Sequence, residues 1–332
     1  MLRIGPCALF PMPVRLSSHN FTPRLRGQSN NGRSGTQANI CRTNRFAHFN
    51  KSRSAAFRSF GSSAARTALK ASLEETWSNP NGDVLTELLP GSLWAAQRPF
   101  VWNGIDVGGK MGVVRLADGG LWVHSPVELD EALKQELESL GPVRCIVSPN
   151  FEHVKYAAQW IDAFPEAAAY ACPGLAAMKP DISFTNTVGE GEAETDAAWL
   201  GEFEVAFFNC ERNPFTGKSF FNEVVFFHKP TRTVFVTDVF WNYPAEAVPL
   251  QTLAWKQGMD KVYLPFYRNL MLRGRQLEYR SLVDKVLDWN FDHILPCHGT
   301  FITTGSSDGG KDPHEILSQH LLQGKPQTGV LT

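Results

Sequence analysis

Apolar residues fall into short runs broken by glycine- and proline-bearing turns from about residue 92 onward. The runs 92–96, 111–116 and 121–124, the last two separated by Asp118-Gly119-Gly120, predict a β-hairpin or meander. A helix is predicted next. Ser125-Pro126-Val127-Glu128 places a serine, then a proline, then an acid three residues after the serine, which is the pattern of a capping box. Leu129, Leu133, Leu137 and Leu140 then share one helical face until Gly141-Pro142 ends it.

Beyond that stop the periodicity alternates. Residues 143–148 predict a strand, Pro149-Asn150-Phe151-Glu152 a tight polar loop, and 153–164 a helix on the spacing of Val154, Ala157, Ala158 and Ile161. Strands follow at 168–172 and 203–208, with a surface loop at 186–195. The runs 222–227 and 233–237 flank Lys229-Pro230-Thr231-Arg232, which has the composition of a hairpin loop. Helices are predicted at 250–259 and 276–289, then a strand at 293–296 leading into Cys297-His298-Gly299. Strands first, then strands alternating with helices, predict an α/β body of two sheets with helices outside. This body spans residues 80–322, and 323–332 reads as a flexible tail.

Charge divides the chain. Twelve of the 32 basic residues and none of the 33 acidic ones lie in Met1–Leu73, which leaves the rest with 20 basic against 33 acidic residues, a formal charge of −13. The same leader holds ten serines and little apolar periodicity, the composition of a disordered organelle transit peptide. An acidic body argues against nucleic acid as a partner. The best uncharged stretch, 167–178, is interrupted by Pro173 and falls short of the roughly 18 apolar residues that a spanning helix needs. No membrane span is therefore expected. Cys145, Cys172, Cys210 and Cys297 form no CxxC pair and read as buried free thiols.

Candidate chemistry gathers at strand ends. Glu152 and His153 follow one predicted strand, Asp238 closes another, and His298 follows the last. Two imidazoles and two carboxylates suit zinc, iron or manganese, all of which accept mixed nitrogen and oxygen ligands. Against this, an acid at a helix start complements the helix dipole and the histidine beside it can simply cap or pack, without any metal. Ser125 beside His124 suggests a Ser–His pair, but neighbours on a strand point to opposite faces, and a capping role accounts for the serine. Lys155 and Tyr156 read as an exposed lysine and a half-buried tyrosine. Trp160, Trp241, Trp255 and Trp289 read as packing residues.

These residues carry a resemblance. A strand and polar loop ending in acid-His, a later strand ending in Thr-Asp, and a final strand ending in His-Gly resemble the metallo-β-lactamase fold, an αββα sandwich with a metal site along one edge. Members with two metals carry His-x-His-x-Asp-His in the first loop. Here Ser148 and Asn150 replace the two leading histidines and Glu152 replaces the aspartate, while His153, Asp238 and His298 match by position and Cys297 replaces a glycine. The separate histidine of the family has no counterpart among Cys210-Glu211, Asn213 and Asn222-Glu223. The resemblance thus implies a degenerate, at most mononuclear site ligated by Glu152, His153, Asp238 and His298, with Asp238 and Glu152 as catalytic carboxylates. The strings at 121–126, 149–156, 213–218 and 241–244 are similar to an uncharacterised family of plants, algae and cyanobacteria within that fold. This implies the chloroplast stroma as destination, with the mitochondrion as the alternative.

Three functions follow as expectations. One is a hydrolase of an ester, thioester or phosphoester that uses one zinc, iron or manganese ion. The second is a metal-free, non-catalytic descendant that binds or assembles with a protein partner, which hydrogen bonding by Asn150 or Glu223 at the site would favour. The third is thiol redox chemistry at Cys297.

Overall fold

The computed structural model describes residues 72–189, 197–244, 248–305 and 311–322. The expected leader, apart from Ser72 and Leu73, and the expected tail at 323–332 lie outside the described residues.

The first half of the chain builds a seven-stranded sheet. It opens with β1 (Thr86–Leu89) and β2 (Leu93–Arg98), and a small ribbon of β3 (Val101–Trp102) and β4 (Ile105–Asp106) follows. Next come β5 (Gly109–Arg115), β6 (Leu121–His124), α1 (Glu131–Leu140), β7 (Val143–Ser148), α2 (Ala157–Ala163), β8 (Ala168–Ala171), α3 (Leu175–Met178) and β9 (Asn186–Thr187). The order is β1-β2-β5-β6-β7-β8-β9, antiparallel up to β6 and parallel from there. The second half builds a five-stranded sheet from β10 (Phe203–Phe208), β11 (Glu223–His228), β12 (Thr233–Val236), β13 (His293–Pro296) and β14 (Ile302–Thr303), in that spatial order. Only β12 and β13 run parallel. Between them lie α4 (Leu250–Gly258), a π-helical turn, α5 (Leu264–Phe266), a second π-helical turn and α6 (Gln276–Leu287), and α7 (Pro313–Leu322) comes last.

Three apolar clusters show how the layers stack. Leu133 and Leu137 of α1 and Trp160 of α2 pack with Trp94, Met111, Val123 and Ile146 on the outer face of the first sheet. Val283 and Val286 of α6 and Leu317 of α7 do the same with Val225, Val234 and Ile294 on the second. Between the sheets lies a shared core in which Trp122 of β6 meets Phe203, Phe226 and Phe235 at ring-centroid distances of 4.3 to 5.3 Å. With both faces covered, β6 and β11 are buried at every position, which is why they read as continuous apolar runs. Gly112 lets the sheets approach, because a Cβ there would stand 2.7 Å from a Phe235 ring carbon.

The two-sheet, helix-flanked α/β architecture agrees with the sequence reading, and the differences have local causes. The first helix begins at Glu131 and not after Ser125, because the Asp130 carboxylate accepts the Leu133 N–H at 2.8 Å and supplies the cap. Ser125 has φ +53°, a left-handed backbone that a helix start cannot use, and its hydroxyl is engaged elsewhere. Residues 153–156 form turns before α2. The helix expected at 250–259 runs on to Met271 through the two π turns. Two-residue strands such as β3, β4 and β14 are too short for any periodicity to register. No helix among the described residues is long and apolar enough to cross a membrane.

Candidate metal centre

Parallel strands send their carboxyl ends to one edge, where the loops that follow can present polar side chains on a rigid frame. Here β6 leads into Ser125, β7 into Asn150 and His153, β12 into Asp238 and β13 into His298. Ligand atoms of His153, Asp238 and His298 all lie within 4.8 Å of one another. His153 Nε2 stands 3.4 Å from Asp238 Oδ2, and His298 Nε2 stands 3.5 Å from Asp238 Oδ1. The two imidazole rings meet edge to face, 5.2 Å between centroids.

Each imidazole is anchored by its other nitrogen. His298 Nδ1 lies 2.7 Å from the carbonyl oxygen of Gly108. A carbonyl can only accept, so Nδ1 carries a proton, and Nε2 is the nitrogen turned toward Asp238. His153 Nδ1 is hydrogen-bonded to Ser125 Oγ at 2.7 Å. The loop beneath His153 is pinned by Asn150, whose Oδ1 accepts the backbone N–H groups of Glu152 and His153 at 3.0 and 2.8 Å. After His298 the chain turns at Gly299, where φ is +96° and a Cβ would overlap the carbonyl oxygen of Asn242.

Asp238 is held from below by a carboxylate that the sequence named only as a hydrogen-bonding alternative to a metal. Glu223, fully buried at the start of β11, accepts the N–H groups of Thr237, Asp238 and Val239 at 2.7, 2.7 and 3.1 Å. Burial, followed by the Asp238 charge, pushes its carboxyl up to about 7. Asn150 Nδ2 donates to Asp238 Oδ2 at 2.6 Å and to Thr237 Oγ1 at 2.8 Å, with Glu223 Oε2 at 3.4 Å. A donor amide therefore stands among acceptors at a position where the two-metal pattern has a histidine. The signal for Glu223 was available as a lone acid opening an otherwise apolar strand.

The electrostatics follow from this crowding. Burial alone would raise Asp238, but the neighbouring His153, by charge and hydrogen bonding, and then His298 hold its carboxyl far below the usual range. Burial likewise works against a charged His153, and the Asp238 carboxylate overrides it and raises that imidazole well above its ordinary value. Glu152 lies beside the group, and its carboxylate is not among the converging atoms. It is exposed at the residue level, and crowding of its carboxyl, then the Asp238 charge, raise it. Cys297 is a buried free thiol, with Sγ 3.9 Å from His124 Nδ1.

The donor set fits a single divalent ion. Two ligand atoms bound at about 2.1 Å and at the tetrahedral angle stand roughly 3.4 Å apart; here His153 Nε2 stands 3.4 Å from Oδ2 and His298 Nε2 3.5 Å from Oδ1, one imidazole on each oxygen of the Asp238 carboxylate. Two imidazoles in the neutral form, which His153 reaches by releasing a proton as an ion binds, suit zinc or iron together with one carboxylate and leave coordination positions open. Between 10 and 15% of each of the three side chains remains exposed, so the group can be reached from solvent.

Several solved structures resemble the chain loosely. The DIM-1 metallo-β-lactamase exposed to ceftazidime is 12% identical over 71% of this chain and 93% of its own, with a TM-score of 0.46. A metallo-β-lactamase from Pontibacter korlensis is 11% identical over 72% and 96%, with a TM-score of 0.43. The mono-zinc form of FIM-1 from Pseudomonas aeruginosa is 14% identical over 72% and 94%, with a TM-score of 0.44. No curated protein matches significantly. Residues 90–262, more than half of the chain and a span that contains His153 and Asp238, match the family model described as a domain of unknown function, DUF4336, and the chain belongs to that family.

Proposed function

We propose that the chain is a mononuclear metal-dependent hydrolase of metallo-β-lactamase type, acting on an ester, thioester or phosphoester. The observation that carries this reading is the anchoring of both imidazoles through Nδ1, which leaves two Nε2 atoms facing one carboxylate at ligand–ligand distances. His153, Asp238 and His298 would hold a zinc, iron or manganese ion. When bound, such an ion polarises a substrate carbonyl or phosphoryl oxygen and acidifies water. Ser125 and the Gly108 carbonyl fix the ring orientations, as outer partners of metal-binding histidines do. Asn150 and Glu223 hold the Asp238 carboxylate in place. Glu152, in the wall of the adjoining cavity, is the carboxylate placed to exchange a proton with substrate. The acid-free leader and the motif resemblance support import into the plastid.

A second reading has one observation in its favour. The Asn150 amide already donates to Asp238 at 2.6 Å, so part of the carboxylate is satisfied without a cation, as a non-catalytic binding module would require. Elemental analysis of protein purified without chelator separates the two. The expected result is close to one zinc, iron or manganese per chain, lost in the His153→Ala/His298→Ala double variant. A metal-free wild-type chain with its fold intact would overturn the hydrolase reading.

A further inference from the structure

The cavity beside the metal centre has a wall that the hydrolase reading does not use. Its volume is about 30 Å³, and its lining includes His153, Ser125, Phe100, Lys110, Lys155 and Glu152. Lys110, on β5, is 5% exposed, and its Nζ donates to the carbonyl oxygen of Gly299. Among the described residues no carboxylate forms an ion pair with it. An ammonium carries three donors, and Gly299 takes one. A buried charge without a counter-charge is strongly destabilising, so an anion that enters the cavity relieves that cost. Loss of hydration pulls this lysine down to about 8, with Cys297 opposing, so it is mostly cationic at neutral pH.

A second cation stands at the exposed rim. Lys155 Nζ lies 5.6 Å from the Phe100 ring centroid and 4.7 Å from that of Tyr156, so two aromatic faces hold it near the mouth. Glu152 also lines the cavity, on the His153 side of the wall. The volume is roughly twice what one water molecule needs. That is room for a compact group such as the two oxygens of a carboxylate.

We propose that Lys110 and Lys155 bind a carboxylate of the substrate in this cavity, beside His153, so that the substrate is an ester or thioester bearing a free carboxylate close to the group that reaches the metal centre. The assignment of reaction rests on the hydrolase reading, whereas the carboxylate site stands on the cavity and its lysines.

The test uses the full chain treated with chelator, with acetate as the probe and chloride at equal ionic strength as the control, and follows the thermal midpoint. Acetate is expected to raise the midpoint in a saturable, concentration-dependent way that chloride does not reproduce. Lys110→Met is expected to weaken apparent acetate affinity by at least about tenfold, the order expected for a charge-assisted hydrogen bond. Lys155→Met alters an exposed side chain and keeps the fold even where the Lys110 variant loses it, and a two- to threefold weakening is expected, as for a partly screened charge. An acetate response absent from wild type, or unchanged in the variants, overturns the proposal. So does inorganic phosphate binding tighter than acetate with the same dependence on Lys110. Metal content measured before chelation reports on the hydrolase reading separately. A metal-free chain that still binds acetate through Lys110 defeats that reading and leaves the carboxylate site standing.

Discussion

Two histidine–carboxylate arrangements lie at opposite ends of the second sheet, and they differ in how completely their hydrogen bonds are closed. At one end, where β11 finishes, His228 Nε2 meets Glu202 Oε2 at 2.9 Å and its Nδ1 meets Thr231 Oγ1 at 2.7 Å. The other Glu202 oxygen accepts the Ala117 N–H at 2.8 Å, and the imidazole is 1% exposed. Every polar atom of that pair has a direct partner. At the other end, beyond β12 and β13, His153 and His298 are tied just as firmly through Nδ1, yet their Nε2 atoms stand 3.4 and 3.5 Å from Asp238. Charge-assisted N–H···O bonds are typically about 2.7–2.9 Å long. The first arrangement is a clip within the core, and the second has the spacing of a ligand set.

The sharpest way to break this contrast is to remove one member of each. His228→Ala leaves one oxygen of the buried Glu202 carboxylate without its partner, and we expect a loss of about 1–3 kcal/mol of stability in denaturant unfolding, with metal content unchanged. If the variant unfolds at the wild-type midpoint, the closed pair is not a clip. At the open site the expected effect is on metal and not on the fold. Ser125→Ala removes the anchor of His153, and outer-sphere losses of this kind weaken metal affinity by about 10- to 100-fold. Competition against a chelator of known affinity measures it, and an unchanged affinity would mean that the Ser125–His153 bond does not orient the ligand.

Acid and base sharpen the contrast further, because the two ends shift in opposite directions. Burial, only partly offset by Glu202, lowers His228. The folded chain then binds fewer protons than the unfolded one below pH 6.5, and stability falls as pH drops through that value, by at most about 1.4 kcal/mol per pH unit for one group. His153 is raised in the metal-free protein because Asp238 outweighs burial. Its contribution is fully present below pH 6.5 and is lost as pH rises through the elevated value. In chelator-treated protein, His153→Gln should flatten the alkaline limb of a stability–pH profile and leave the acid limb unchanged. A variant that flattens the acid limb instead would reverse the assignment.

The three converging ligands were legible because strand-end position can be read from apolar runs: His153, Asp238 and His298 each follow a continuous buried strand. What surrounds them was not legible, since it depends on contacts between distant segments. Glu202 and His228 are 26 residues apart, and nothing local in the sequence marks them as a pair. Asn150 read as a lost ligand, whereas its amide ties the β7 loop to Asp238 across 88 residues. Lys110 lay at the edge of a predicted strand and drew no attention, although a lysine next to an apolar run marks a buried charge as readily as a strand end. His320 packs edge-on against Phe240 and Trp241 from α7, a helix that the apolar pattern did not predict.

Ser125 shows why a local motif can mislead, and the smallest predicted effect tests it. The Ser-Pro-Val-Glu pattern satisfies the capping box at the level of sequence, but a capping residue needs an extended backbone, and Ser125 has φ +53°. Asp130 has φ −105° and ψ 169°, and its carboxylate accepts the Leu133 N–H. Asp130→Ala is therefore expected to cost about 1 kcal/mol in equilibrium unfolding and to leave metal affinity unchanged. Ser125→Ala is expected to do the reverse. If instead Ser125→Ala shifted the unfolding midpoint by as much as Asp130→Ala, the serine would be serving the helix. The 2.7 Å contact to His153 would then be incidental, and the open site would lose one of the two anchors that distinguish it from the closed pair.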